Sequence, residues 1–507
     1  MNSEDKVRSE ENTNRIITRR RFVQGVAATA AGVVSFPYIL RAAELGAGSP
    51  SKKLNIAFIG TGGRAGAHVS ELLKTAEELT RTPEELAKMN EKDRDKLERR
   101  KTITCVAYAD ADPSHQGEVA KRAPDAKGYT DWREMFDNHL KDIDAVIIAI
   151  PDHSHAVATL RAIREGKHVY CEKPLTWGVQ EARMVAEATA AKKVATQMGN
   201  QGHSNEGNRL TVEWIRAGVI GDVQEIHTWT NRPVWPQGNL KRVAAAPPDG
   251  LNWDVWLGPA PFREYHKFVE GDGKEEKSVH PFNWRGWFDF GAGAVGDMGC
   301  HTWDAPFWAM NPDYPSAVEL VAIDEKGTES FPRRSHFKWE FPAKGNRAAF
   351  VAHWYSGGMK PPAPEEFVND PAVESKEGKK RELPGSGSLY IGTKGKLLVT
   401  GDYGDSPRLI PEAAMKEFQR PEKTIARSPG HMDEWLMACK EEKPWDFPGS
   451  NFSGYAGPLT EVMLLGTIAE RIGEVGFRIE CDPTARTIKT KEALALAGRE
   501  PRKGWEY

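Results

Sequence analysis

From residue 54 onward, short apolar runs alternate with stretches whose apolar positions recur at helical spacing. The runs cover 54–59, 102–109, 145–150, 168–171 and 194–198; the helical patterns cover 64–74, 114–122, 155–165 and 177–192. Strands separated by helices pair in parallel through right-handed crossovers, which predicts a doubly wound sheet. After residue 200 the rhythm changes. Val223–Asn231, Val318–Asp324, His336–Phe341 and Arg347–Tyr355 alternate apolar with polar residues, the mark of an open antiparallel sheet. Helices are expected at 203–217, 298–309, 431–440 and 458–473. The expected fold is therefore α/β: a Rossmann domain over 52–200, then an α/β domain with an open, mainly antiparallel sheet over 201–480. Residues 481–507 read as a tail, either an interface arm or frayed.

Two segments interrupt this rhythm. Residues 75–101 are strongly charged and read as a solvated helical insertion without chemistry. Gly357–Ser388 is polar and rich in Pro and Gly, so it reads as a long loop, either a lid or a disordered excursion.

Ligands of doubly wound sheets lie at the carboxyl ends of the strands. The first strand ends in Gly60–Thr61–Gly62–Gly63–Arg64–Ala65. Gly60 permits a tight turn, Gly62 removes a side chain where backbone must approach phosphate, and Ala65 lets helix pack on strand. A carboxylate is expected about 20 residues on, to hold the adenosine ribose hydroxyls. Asp110 closes the second run, 50 residues after Gly60, and omitting the insertion restores a spacing of 23. Asp110 would accept both ribose hydroxyls and repel a 2′-phosphate, so NAD is favoured. Arg64 leaves NADP open, because a guanidinium in the turn can pair with phosphate. The remaining strand ends are Pro151–Asp152–His153–Ser154–His155, Cys171–Glu172–Lys173–Pro174 and Gly199–Asn200.

Composition narrows the partners. A formal charge of −3 over 507 residues gives no reason to expect nucleic acid or an anionic membrane. Five scattered cysteines build no disulfide framework, and without a C-x-x-C no structural zinc is expected. Thr18–Arg19–Arg20–Arg21–Phe22–Val23–Gln24 is a twin-arginine pattern before a moderately apolar stretch, Val23–Leu40, and a small-residue segment, Ala42–Gly48. This reads as a removable signal that exports a folded protein to the periplasm or beyond, leaving no stable membrane insertion.

Gly60–Arg64, Pro151-Asp-His-Ser-His155, Glu172-Lys-Pro174 and Gly296-Asp-Met-Gly-Cys-His301 together resemble the glucose–fructose oxidoreductase/inositol dehydrogenase (Gfo/Idh/MocA) family, in a secreted branch. The resemblance implies a Rossmann domain joined to an open-sheet domain that carries substrate contacts and often a dimer interface. A homo-oligomer is therefore expected. It also implies NAD(P)-dependent action on sugars, polyols and related cyclic alcohols.

Oxidising a secondary alcohol requires hydride transfer and removal of the hydroxyl proton, so the protein must supply a base and an oxyanion partner. Asp297 and His301 stand at i and i+4 of an expected helix and face one way. His301 is expected to take the proton, Asp297 to bind a hydroxyl and keep His301 basic, and Lys173 to stabilise the oxyanion. These positions match the family's catalytic lysine, aspartate and histidine, and the resemblance implies a cis peptide before Pro174. Cofactor contacts are expected from Gly60, Thr61, Gly62, Gly63, Arg64, Asp110, Pro151, Asp152, His155, Glu172, Lys173 and Asn200. His153 is unassigned.

Asp304, three residues after His301, is a candidate substrate or His301 partner. Asp297-x-x-x-His301-x-x-Asp304 has metal-ligand residue types, but without a further clustered ligand no metal is expected. Eight of sixteen tryptophans fall between Trp229 and Trp308. Sugar rings stack on indole faces, so Trp229, Trp235, Trp284 and Trp287 are open to either core or site roles.

Three functional readings remain. The first is an exported NAD(P)-dependent oxidoreductase acting on a carbohydrate or polyol hydroxyl. The second keeps NAD bound and runs a redox-neutral glycoside cleavage or an exchange between two sugars. The third is a binding protein that has lost turnover.

Overall fold

Leu54–Ile59 (β1) is buried at every position but Asn55, as a strand covered by helices on both faces must be. It lies at the centre of a six-stranded parallel sheet in the computed structural model, which describes residues 49, 51–371 and 381–507. The export-signal pattern lies outside the described residues. The other strands are Ile103–Ala109 (β2), Lys127–Tyr129 (β3), Ala145–Ile148 (β4), His168–Cys171 (β5) and Thr196–Met198 (β6). Their order, β3-β2-β1-β4-β5-β6, is the doubly wound Rossmann arrangement with its switch point between β1 and β4. β3 and the helix Trp132–His139 were not expected from the sequence: three residues carry no periodicity to read.

The second sheet begins with Val223–Trp229 (β7). A three-stranded ribbon of Leu240–Ala244 (β8), His266–Glu270 (β9) and Lys277–Ser278 (β10) follows. Ala317–Asp324 (β11), Arg334–Phe341 (β12), Phe350–Tyr355 (β13), Gly387–Gly392 (β14), Lys396–Thr400 (β15), Arg408–Ile410 (β16), Arg478–Asp482 (β17) and Thr487–Ile488 (β18) complete a nine-stranded sheet. Its order is β16-β15-β14-β7-β13-β12-β11-β17-β18, antiparallel except where β13 runs parallel to β7. β12 shows why it forms: Ser335, Phe337, Trp339 and Phe341 point inward and Arg334, His336, Lys338 and Glu340 outward. The helix Gly457–Ile472 lies under the inward face, buried over most of its length. A continuous core joins Val146 and Ile148 of the first sheet to Phe337, Trp339 and Leu464 of the second.

Three expectations change. The 75–101 insertion is three helices, Ala76–Leu79, Pro83–Lys88 and Glu91–Lys101, because Thr75, Thr82 and Asn90 each cap a new start. Nor is it wholly solvated. Arg99 and Arg100 are buried, and Arg100 Nη1 donates to Asp433 Oδ1 at 2.9 Å, strapping the insertion to the helix His431–Cys439. The 357–388 loop packs where it is described, with Phe367 and Leu383 buried against Trp229 and Tyr355; residues 372–380 lie outside the described residues. The 481–507 segment is also docked. Trp505 is buried against Trp132, and Gln180 N donates to Ala497 O. No helix among the described residues is long and apolar enough to cross a membrane.

Candidate active site

A cavity of about 830 Å³ opens at the carboxyl ends of the Rossmann strands, between the glycine turn and the segment His280–Arg285 that follows the ribbon. Gly60, Gly62, Gly63 and Arg64 line it where the helix Ala65–Leu72 begins. Gly60 and Gly62 leave no room for a side chain. A Cβ on Gly60, at φ +85°, would lie 2.4 Å from Ala149 O, and one on Gly62 would lie 2.5 Å from His115 Nδ1. Asp110 closes β2 beside them. Its Oδ2 accepts from Thr61 N at 2.8 Å and Gly62 N at 3.2 Å, and Oδ1 accepts from Asp112 N at 3.0 Å. Burial opposes the Asp110 charge, but His115 and these N–H groups outweigh it and hold the carboxyl below its usual range. A glycine cradle at a helix N-terminus with an ionised carboxylate at the next strand end fits a dinucleotide.

Arg64 bears on NADP. Its Nε donates to Glu172 Oε1 at 3.1 Å, so the guanidinium is committed to the β5 end of the cavity. Glu172 Oε1 also lies 2.7 Å from His68 Nε2. Burial raises the Glu172 carboxyl, yet His68 and Arg64 more than reverse this and keep it ionised.

The next residue, Lys173, reaches across to the second half of the chain. Its Nζ donates to Asp297 Oδ1 at 2.6 Å and to Asp297 O at 3.0 Å, and the Lys173–Pro174 peptide is cis. Asp297 and His301 lie on the helix Gly293–Thr302 and both line the cavity. The helix starts four residues earlier than Asp297. Arg285 Nε lies 3.6 Å from Asp297 Oδ1, so one carboxylate serves two cations. Burial works against the Asp297 charge, and Lys173 and Arg285 overcome it, lowering its carboxyl. Burial would likewise lower the Lys173 amine, but Asp297 raises it, so this lysine stays protonated.

Asp297 pairs with Lys173 and, as the sequence suggested, also raises His301, though too little to offset burial. His301 is pushed down to about 3, first by burial and then by the Lys173 charge. It is a neutral imidazole at physiological pH, and burial beside the Lys173 charge makes it a weak base while that charge is unmet. Its Nδ1 is buried with no hydrogen-bond partner among the described residues, and its ring meets Tyr403 edge-on at 4.8 Å.

Several expected contacts lie elsewhere. Asp304 is fully buried off the cavity wall, accepting from Asn200 Nδ2 at 3.2 Å and Tyr455 OH at 2.6 Å and lying 3.0 Å from His203 Nδ1. It ties the helix Asp304–Met310 to the chain after β6, and Asn200 is consumed in the same network. Thr61 and His155 are buried off the wall as well. His155 Nδ1 lies 2.7 Å from Pro174 O and Nε2 2.7 Å from Ile150 O, bracing two strand-end turns against each other. His153 does the same between Phe290 O and Trp256 O. Trp287 and Trp229 belong to cores, whereas Trp235 and Trp284 line the cavity. Pro151 and Asp152 also line it; Asp152 accepts from Ala292 N at 3.0 Å, and burial pushes its carboxyl up to about 7.

The sequence reading missed Arg285, Tyr403, His115 and His280 in the wall. Arg285 could have been suspected from His280-Pro-Phe-x-Trp284-Arg285, a polar-aromatic cluster just before the Asp297 helix. Tyr403 carries no such signal. Asp112, His115 and His280 meet beside Asp110, with His280 Nε2 2.8 Å from Asp112 Oδ2.

Two family descriptions match the chain: an oxidoreductase family's NAD-binding Rossmann fold over residues 54–200, and that family's C-terminal alpha/beta domain over 219–332. A levoglucosan dehydrogenase from Pseudarthrobacter phenanthrenivorans is 31% identical over 115 residues, 23% of this chain and 29% of that protein. Inositol 2-dehydrogenase 3 from Saccharopolyspora erythraea is 34% identical over 105 residues, 20% of this chain and 31% of that one. The chain thus matches less than a third of each relative's length. In three dimensions it is similar to the WlbA dehydrogenase from Bordetella pertussis, solved with NADH and UDP-GlcNAcA. The TM-score is 0.52 at 14% identity, covering 85% of this chain and 99% of that one. An oxidoreductase from Thermotoga maritima gives 0.50 at 15% identity, covering 86% and 100%. Identities this low speak for a shared fold alone.

Proposed function

Because this chain belongs to the Gfo/Idh/MocA oxidoreductase family and carries its NAD-binding Rossmann fold, we propose that it oxidises a secondary hydroxyl of a sugar or polyol. The observation that carries the proposal is the meeting of Lys173 and Asp297 at 2.6 Å on the cavity wall, with His301 one helical turn away. NAD, when bound along the glycine turn, supplies the hydride acceptor. Lys173 holds a protonated amine where the substrate oxygen gains negative charge. An ammonium in a site shielded from water stabilises that charge strongly. His301, neutral and lining the same cavity, is placed to take the hydroxyl proton, and an alkoxide forming against Lys173 would offset the charge that weakens this imidazole as a base. Asp297 keeps Lys173 charged and oriented. Trp235 and Trp284 add apolar indole surface to the cavity wall for the C–H surface of a ring, with the Arg285 guanidinium lying over the Trp284 ring 4.3 Å from its centroid. Asp110 and Asp112 disfavour a 2′-phosphate, and Arg64 is paired away from it, which supports NAD over NADP.

The test is NADH formation by purified protein across a panel of sugars and polyols. Lys173→Ala and His301→Ala are each expected to lower kcat/KM by about 10²–10⁴-fold, with NAD affinity retained. Unchanged turnover in both variants would overturn the assignment. Export by the twin-arginine route is part of the same proposal, supported by Arg19–Arg20–Arg21 and the segment that follows. It predicts a processed protein in the periplasmic fraction that disappears when those arginines become lysines. Assembly as a homo-oligomer is also proposed, from the family resemblance, and light scattering of the purified protein measures it.

A further inference from the structure

We propose that Glu225, His227 and His353 form a binding site for a divalent transition metal of the zinc class. The site lies on the outer face of the nine-stranded sheet, away from the cavity. β7 and β13 are neighbours in parallel register with His227 opposite His353. Glu225 lies two residues before His227 and so projects from the same face. Each of the three offers one ligand atom, and these atoms lie within 4.8 Å of one another.

The surroundings hold one nitrogen of each ring. A ligating imidazole gives one nitrogen to the metal and holds its other nitrogen in a hydrogen bond that fixes the ring. His227 Nδ1 lies 3.1 Å from the Tyr355 hydroxyl, and His227 Nε2 turns to Glu225 Oε2 at 3.3 Å. His353 Nδ1 lies 3.0 Å from His336 Nε2, which leaves the other nitrogen of His353 for a ligand. The two rings stack with centroids 4.6 Å apart and planes at 14°, so one ring must turn for both nitrogens to meet a single ion. Burial keeps both rings neutral, the form that binds metal. Lys338 faces this group from β12, and Glu319 neutralises it at 3.2 Å.

Two imidazoles and one carboxylate suit zinc, nickel or copper; magnesium and calcium prefer all-oxygen sets. Three protein ligands leave a fourth position for water or another donor. None of these residues lines the cavity, so the inference stands apart from the oxidoreductase reading.

The experiment titrates untagged, chelator-stripped full-length protein with zinc chloride by calorimetry, and with cobalt chloride by visible absorption. One equivalent is expected to bind with a dissociation constant below about 1 μM. His227→Ala and His353→Ala should each weaken binding by about 100-fold or more, and His336→Ala by about 10–100-fold through loss of ring orientation. Glu225→Gln alters a half-exposed side chain without threatening the fold, and it should also weaken binding at least about tenfold. His280→Ala, in the separate Asp112–His115–His280 group, should leave this affinity unchanged. Equal affinity in Glu225→Gln and His353→Ala, or loss in His280→Ala instead, would overturn the proposal. NAD binding measured on the same samples should not change among the Glu225, His227, His336 and His353 variants.

Discussion

Replacing Glu470 by Gln should change how stability depends on pH. Glu470 sits on the helix Gly457–Ile472, 1% exposed, beneath β12. Its Oε1 accepts from the Ser335 hydroxyl, which lies 2.8 Å from Ser356 Oγ, and Oε2 is buried without a hydrogen-bond partner among the described residues. Burial pushes its carboxyl from 4.5 up to about 8, partly opposed by the Ser335 bond. Between those two pH values the folded protein keeps a proton that the unfolded chain releases. Stability therefore falls as pH rises through the window and levels off above about 8. At about 1.4 kcal/mol per pH unit, the loss between pH 5 and pH 8 is roughly 3–4 kcal/mol. A glutamine cannot ionise, so Glu470→Gln removes this slope whatever fixed offset its own hydrogen bonding introduces. Urea denaturation of both proteins at pH 5, 6, 7 and 8 measures it. The variant should gain on the parent steadily across the series. Parallel curves would show that Glu470 is not held neutral by the core, and the reasoning would fail.

Other outcomes follow from the same structure. Gly199→Ala places a Cβ 2.6 Å from the Glu172 carboxyl group, which Arg64 and His68 hold in place; a loss of about 1–3 kcal/mol should appear as a lower melting temperature. His153 and His301 are both pushed to about 3 by burial. The unfolded chain binds their protons more readily, so stability should fall as pH drops below about 6.5, and a flat thermal-melt profile from pH 6.5 to 4 would contradict this. Asp110→Asn should weaken NAD about 10–100-fold, the value of a hydrogen bond to a charged group, as measured by calorimetry; an unchanged affinity would remove Asp110 from the ribose. In Asp297→Asn, Lys173 loses the partner that opposes its burial. Its amine should then react with acetic anhydride at lower pH than in the parent, and identical labelling profiles would refute the pairing.

The local pattern of residues determined the elements and their class. Continuous apolar runs became β1, β2, β4 and β5, since strands covered on both faces need no polar side. Strict alternation became β12, and the glycine spacing at Gly60 and Gly62 marked a turn that no Cβ fits. Thr75, Thr82 and Asn90 are cap residues legible in the chain, and they divide a uniformly charged stretch that composition alone presents as one helix. The convergence of Lys173 with Asp297, 124 positions apart, came from family resemblance and not from spacing.

Tertiary structure alone decided which inward-facing residues meet a cavity and which meet a core. Periodicity shows that a side chain points in, but not what awaits it there. Trp284 and Trp287 sit three positions apart in one core cluster, and only Trp284 also reaches the cavity wall. Asp304, Asn200 and His155 have polar groups that looked free for ligands, but burial obliged each to find a protein partner first. Arg285 and Tyr403 reach the site from the helical turn Asn283–Gly286 and from the turn after β15, because only packing sets how far those segments lie from the Rossmann strands.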